Sequence, residues 1–126
     1  MNETLSGKRI LAVEDEYMLA QELALFLEER GATVIGPVGT IQAGLCLATR
    51  ETLDAAVLDV NLRNKPVYPV ADVLIERGIP IVFVTGYDEL LMQRPYLGLP
   101  RCPKPLDKEA LLRVLVREIA TRAGTR

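Results

Sequence analysis

The chain has 126 residues, 49% of them hydrophobic and 25% charged, with a formal net charge of −2. That length suits one domain around one core, the apolar share excludes a disordered chain, and the near-neutral balance gives no reason to expect nucleic acid or an anionic membrane as a partner. Histidine is absent, which excludes imidazole base catalysis and histidine-ligated zinc, while Cys46 and Cys102 fall among apolar residues and are expected to pack rather than to form a disulfide framework.

Met1–Gly7 is polar and carries Glu3, unlike a signal peptide. It is read as a flexible tail over 1–7, ahead of one domain over 8–123 and a short tail over 124–126. No apolar run approaches the ~20 residues of a membrane span, so the soluble cytoplasm is the expected location.

Strand-like and helix-like segments alternate from there on. Ile10–Val13 is continuously apolar, as in a strand buried on both faces of a parallel sheet. Leu19, Leu23, Phe26 and Leu27 form one apolar helical face, closed by Gly31. Thr33–Val38 is short and β-branched, which predicts a second strand. Thr40 caps a helix running to about Arg50, with Ile41, Leu45 and Ala48 inward. Ala55–Leu58 is a third strand ending at Asp59. After a polar loop with Pro66 and Pro69, Val70, Val73 and Leu74 mark a third helix, closed by Gly78. Ile79–Val84 is a fourth strand ending at Thr85.

Asp88–Gln93 starts a helix that Pro95, Gly98 and Pro100 leave little room to continue. A short or mobile fourth helix is expected there. A weak fifth strand near Arg101–Cys102 precedes Lys104, and Leu111, Leu112, Leu115 and Ile119 line a terminal helix. Five strands alternating with helices predict a single (βα)5 α/β domain with a doubly wound parallel sheet and right-handed crossovers.

In such a sheet the carboxyl ends of the strands share one crevice, where ligands bind. Glu14-Asp15, Asp59, Thr85 and Lys104 all fall there. Each has an ordinary use by itself. Acids cap helices, an aspartate starts a turn with Asn61, a threonine ends a strand, and a lysine is solvated. Their convergence is what these uses leave unexplained. Two carboxylates ~4 Å apart repel by about 4 kcal/mol at an effective dielectric of ~20. Three of them offset by one lysine leave a formal excess of two negative charges, which a divalent cation cancels. All the donors are oxygens, selecting Mg²⁺ or Mn²⁺ over zinc. Asp59 then reads as a nucleophile toward a phosphoryl group. Lys104 and the metal stabilise charge on its oxygens, and Thr85 donates a hydrogen bond.

Val13-Glu14-Asp15-Glu16, Asp59 within Val57-Leu58-Asp59-Val60-Asn61, Thr85-Gly86 and Lys104-Pro105 together resemble the receiver domain of two-component response regulators, over nearly the whole chain. The resemblance implies a flavodoxin-like strand order 2-1-3-4-5, with Asp59 as phosphoacceptor and Glu14 and Asp15 as metal-binding acids. It implies the backbone carbonyl of Asn61 as a further Mg²⁺ ligand, Thr85 and Lys104 as phosphoryl contacts, and a cis bond before Pro105. Pro80-Ile81-Val82-Phe83-Val84-Thr85-Gly86-Tyr87 is similar to the signature of the FATGUY receivers, with Val84 in place of their alanine. Those are stand-alone bacterial signalling proteins, often paired with sensor histidine kinases of the HWE or related classes.

Three residues before Lys104, where ordinary receivers carry a switch aromatic, stands Arg101. The readout is therefore expected through Thr85, Gly86 and Tyr87. No attached output is expected beyond Arg126, so the expected product is an altered surface read by another protein. Phosphotransfer and slow phosphoryl loss would be its only catalysis. The alternatives are a Mg²⁺-dependent phosphatase with an aspartate nucleophile and a receiver-like interaction module that is never phosphorylated.

Overall fold

Side chains alternate across a strand, and that alternation sorts this sequence onto the two faces of one parallel sheet. The computed structural model describes residues 4–86 and 94–124. β1 (Arg9–Val13), α1 (Tyr17–Glu29), β2 (Thr33–Val38), α2 (Ile41–Arg50) and β3 (Ala55–Asp59) come first. A small hairpin of β4 (Asn61–Leu62) and β5 (Lys65–Pro66) leads into α3 (Tyr68–Glu76). β6 (Ile81–Thr85), a 3₁₀ turn at Arg94–Tyr96, β7 (Arg101–Pro103) and α4 (Lys108–Gly124) follow. The sheet runs β2-β1-β3-β6-β7 with every pair parallel. With the hairpin outside it, this is the expected order 2-1-3-4-5. The expected fourth helix at Asp88–Gln93 lies outside the described residues.

Leu11, Val13, Ala56, Leu58, Ile81 and Phe83 face one way, into a core shared with Val70, Ala71 and Leu74 of α3 and Ala48 of α2. Ile10, Ala12, Ala55, Val57, Val82 and Val84 face the other way, against Leu23, Phe26 and Leu27 of α1 and Leu111, Leu112 and Leu115 of α4. Burying each large side chain is worth about 1.5–3 kcal/mol. The two cores hold the central strands so that β1, β3 and β6 end together.

Local signals account for most boundaries. The Thr40 hydroxyl accepts the Ala43 N–H at 3.1 Å and caps α2. Gly31 follows α1 at φ 97°, and a Cβ there would stand 2.8 Å from the Ser6 Cα. That contact belongs to the segment read as a tail. Leu5 is buried, and its N–H donates to the Arg30 carbonyl at 2.9 Å.

Four sequence expectations change. Pro69 sits in the first turn of α3 rather than in the loop, where a missing N–H costs no helical bond. Pro66 lies in β5. Leu19 is exposed in the first turn of α1, as Tyr17 and Met18 are, and burial on that helix begins at Ala20. Cys46 is exposed on α2, where Arg50 donates to its Sγ at 3.3 Å, whereas Cys102 is buried as expected. Among the described residues no helix is long and apolar enough to cross a membrane.

Candidate functional site

Asp59 is the last residue of β3 and Thr85 the last of β6, while Glu14 and Asp15 directly follow β1. Lys104 directly follows β7, and its N–H donates to the Thr85 carbonyl at 2.7 Å, tying the two strand ends together. The Lys104–Pro105 bond is cis, as the resemblance implies, and so is Gly36–Pro37. Glu14, Asp59 and Thr85 are the buried polar side chains among the described residues. All three stand at this one edge.

One oxygen from each of Glu14, Asp15 and Asp59 lies within 4.8 Å of the others. Lys104 Nζ reaches Asp59 Oδ2 at 3.1 Å and Glu14 Oε1 at 3.6 Å. It also reaches Glu16 Oε1 at 3.5 Å, a partner that sequence reading missed because an exposed acid at a helix start looks like an ordinary cap. Backbone donors fix the carboxylates: Asn61 N–H to Asp59 Oδ1 at 3.2 Å and Glu16 N–H to Glu14 Oε2 at 3.0 Å. The Arg63 N–H donates to Asp15 Oδ2 at 2.9 Å. Asp15, Glu16, Asp59, Asn61, Thr85 and Lys104 all line one open cleft.

Charge in the site is unbalanced. Burial pushes the Glu14 carboxyl up to about 7, and the neighbouring Asp59 adds to it. Burial also raises Asp59, with Lys104 and the Asn61 N–H pulling back without reversing it. The interaction between the two raises Glu14 and lowers Asp59. Burial pulls Lys104 down, but the charges of Asp59, Glu14 and Glu16 outweigh it and raise its pKa. Three carboxylates around one ammonium, with Asp15 beside two of them, form a cation-hungry site, and an all-oxygen donor set suits a hard divalent ion. The residues fit such an ion.

The structure thus brings together Glu14, Asp15, Asp59, Asn61, Thr85, Gly86 and Lys104. Tyr87, the outer part of the expected switch, lies outside the described residues. Arg101 is exposed on β7 and donates to the Leu97 carbonyl at 3.2 Å.

No protein-family model matches the chain. Among solved structures, SdrG from Sphingomonas melonis Fr1 is 34% identical, with a TM-score of 0.76 over 93% of this chain and 99% of that one. The receiver domain of the sensor histidine kinase PA1611 from Pseudomonas aeruginosa PAO1, with a magnesium ion coordinated in its active site cleft, is 25% identical. It matches with a TM-score of 0.78 over 91% of this chain and 99% of that one. The curated transcriptional regulatory protein PdtaR of Mycobacterium tuberculosis is 29% identical over 83 residues, 65% of this chain. The chain spans only 40% of the length of that relative. On its match to SdrG over nearly the full length of both chains, and with receiver domains as its structural neighbours, the chain belongs to the receiver domains of two-component response regulators.

Proposed function

We propose that the chain is a phosphoryl acceptor in which Asp59 takes a phosphoryl group from the phosphohistidine of a sensor histidine kinase in a Mg²⁺-dependent reaction. The observation that carries this is the convergence of the buried polar residues Glu14, Asp59 and Thr85 at one edge of the sheet, where Asp59, Thr85 and Lys104 line an open cleft. A carboxylate oxygen of Asp59 attacks phosphorus while the P–N bond of the donor breaks. The electron pair stays on the imidazole, and Asp59 becomes an acyl phosphate. The Lys104 ammonium, already 3.1 Å from Asp59, balances charge gathering on the phosphoryl oxygens, and the Thr85 hydroxyl donates to one of them. The Asn61 N–H holds Asp59 in place throughout. Glu14, Asp15, Asp59 and the Asn61 carbonyl would hold Mg²⁺, with Mn²⁺ as a substitute. The ion supplies positive charge that lets an anionic nucleophile meet an anionic donor.

Receiver domains in general partner with sensor histidine kinases. The Val84-Thr85-Gly86-Tyr87 run supports assignment to the FATGUY group, with a kinase of the HWE or related classes as donor and the cytoplasm as the setting. The protein acts as a signalling acceptor rather than as an enzyme on external substrates. In support, β3 leads to α3 through only the hairpin Asn61–Pro66, with no cap inserted between those two elements. Incubation with Mg²⁺ and acetyl phosphate, followed by intact-mass measurement and a phosphate-release assay, tests the reading. A stable gain of one phosphoryl group is expected. Fast continuous phosphate release would instead make the chain a phosphatase, and no gain would make it an unphosphorylated interaction module.

A further inference from the structure

We infer that the β4–β5 hairpin is a positioning device for the acidic edge: the backbone N–H of Arg63 holds the Asp15 carboxylate in place for a divalent cation. This rests on the Mg²⁺ reading above and extends it to the structure that supports the ligands.

Arg63 and Asn64 are the two central residues of the hairpin turn, and both are left-handed, at φ 49° and 66°. That conformation matches the twist of a two-residue hairpin and ordinarily selects Asn and Gly. Asn64 suits it. Arg63 does not, because its Cβ crowds the following carbonyl. A non-glycine residue stays left-handed only where its surroundings over-determine it, and such residues concentrate at working sites. Here the surroundings do so from both ends. Asn61 pairs with Pro66 and Leu62 with Lys65. Leu62 is buried in the core, and the Val67 N–H closes the base of the hairpin on the Val60 carbonyl at 2.8 Å.

The turn aims the Arg63 N–H at Asp15 Oδ2, 2.9 Å away. From the other side, Gly39 closes on the main chain of Asp15, where a Cβ would stand 3.2 Å from the Asp15 Cα. The β2–α2 loop thus fixes the backbone of Asp15 and the hairpin fixes its carboxylate. The nature of the donor matters. A peptide N–H orients a carboxylate without adding a full positive charge, so the charge that would attract a divalent ion is kept. Outer groups of this kind are worth 10–100-fold in metal affinity where they have been removed. The Arg63 side chain is exposed, so its backbone, not its guanidinium, makes the contact.

The role is tested by titrating Mg²⁺ alone into wild type, Arg63→Gly and Arg63→Val, with binding read by calorimetry. Glycine keeps the N–H and favours the left-handed turn, so wild-type affinity is expected. Valine, β-branched and a genuine outlier at positive φ, should weaken Mg²⁺ binding by about tenfold. Amide exchange at Arg63 in the metal-free wild type gives a readout independent of how the variants fold, and slow exchange is expected. Wild-type affinity in Arg63→Val, an equal loss in Arg63→Gly, or exchange at the solvent rate overturns the positioning role. A wild type that binds no Mg²⁺ removes the underlying reading and this inference with it, which is distinguishable from those outcomes.

Discussion

The faces of the sheet and its carboxyl edge follow opposite rules. On the faces, Leu11, Leu58 and Phe83 on one side and Ile10, Val57 and Val82 on the other are fully apolar and almost fully buried. Local pattern and tertiary packing agree there. At the edge, where those runs end, Glu14, Glu16 and Asp59 crowd one lysine, Asp15 stands beside Glu14 and Asp59, and two of these acids are buried. Nothing in the stability of the fold calls for that edge. It is the faces that hold it together, so damage to the faces should cost folding, and relief of the edge should add stability while removing function.

The largest effect is expected from the faces. Phe83 is fully buried, with Tyr68 and Tyr96 edge-on to its ring at 6.4 and 6.3 Å. Phe83→Ala should cost about 3–5 kcal/mol in denaturant unfolding. A loss under 1 kcal/mol would show that this face is not the scaffold described.

The edge should behave the other way with pH. The Glu14 carboxyl is raised from 4.5 to about 7, so in that interval the folded, metal-free chain binds a proton that the unfolded chain has released. Its contribution is complete below pH 4.5 and is lost as pH rises through 7, an upper bound of roughly 3 kcal/mol. Unfolding of the metal-free protein at pH 5 and pH 8 should show the fall, and Glu14→Gln should flatten it by about 1–2 kcal/mol. A stability that rises over this interval in wild type would contradict the assignment of the proton.

A smaller effect is expected where α3 meets the 3₁₀ turn. The Tyr96 hydroxyl donates to Asp72 Oδ1 at 2.6 Å, and its ring stacks on Tyr68 at 4.0 Å. Tyr96→Phe keeps the stack and loses the hydrogen bond, so thermal unfolding should show a loss of about 1 kcal/mol. A loss several times larger would mean that the hydroxyl, not the ring, anchors this turn.

The same division decides what was legible in the sequence. Ala55–Leu58, the Thr40 cap and Gly31 each carry a local signal strong enough to place an element, and strand ends then place Asp59, Thr85 and Lys104 without further information. The hairpin is different. Its ladder is two residues long on each side, and its turn carries Arg63-Asn64 where Asn-Gly would announce it, so Asn61–Pro66 reads as a plain loop. The contact from Arg63 to Asp15 spans 48 positions and leaves no local trace. Glu16 is similar: an acid at a helix start is common, and only the fold shows Lys104 beside it. Cys46 and Leu19 were misplaced inward because periodicity gives the face of a helix but not how far that face extends.

The central claim is that Asp59 is the acceptor and that a divalent cation enables it. Wild type and Asp59→Asn, each with acetyl phosphate and either Mg²⁺ or a chelator, can be compared by intact mass, with circular dichroism confirming that the variant folds. The account expects one phosphoryl group on wild type with Mg²⁺ and none in the other three mixtures. Phosphoryl incorporation by folded Asp59→Asn at the wild-type rate, or by wild type without the metal, would contradict it.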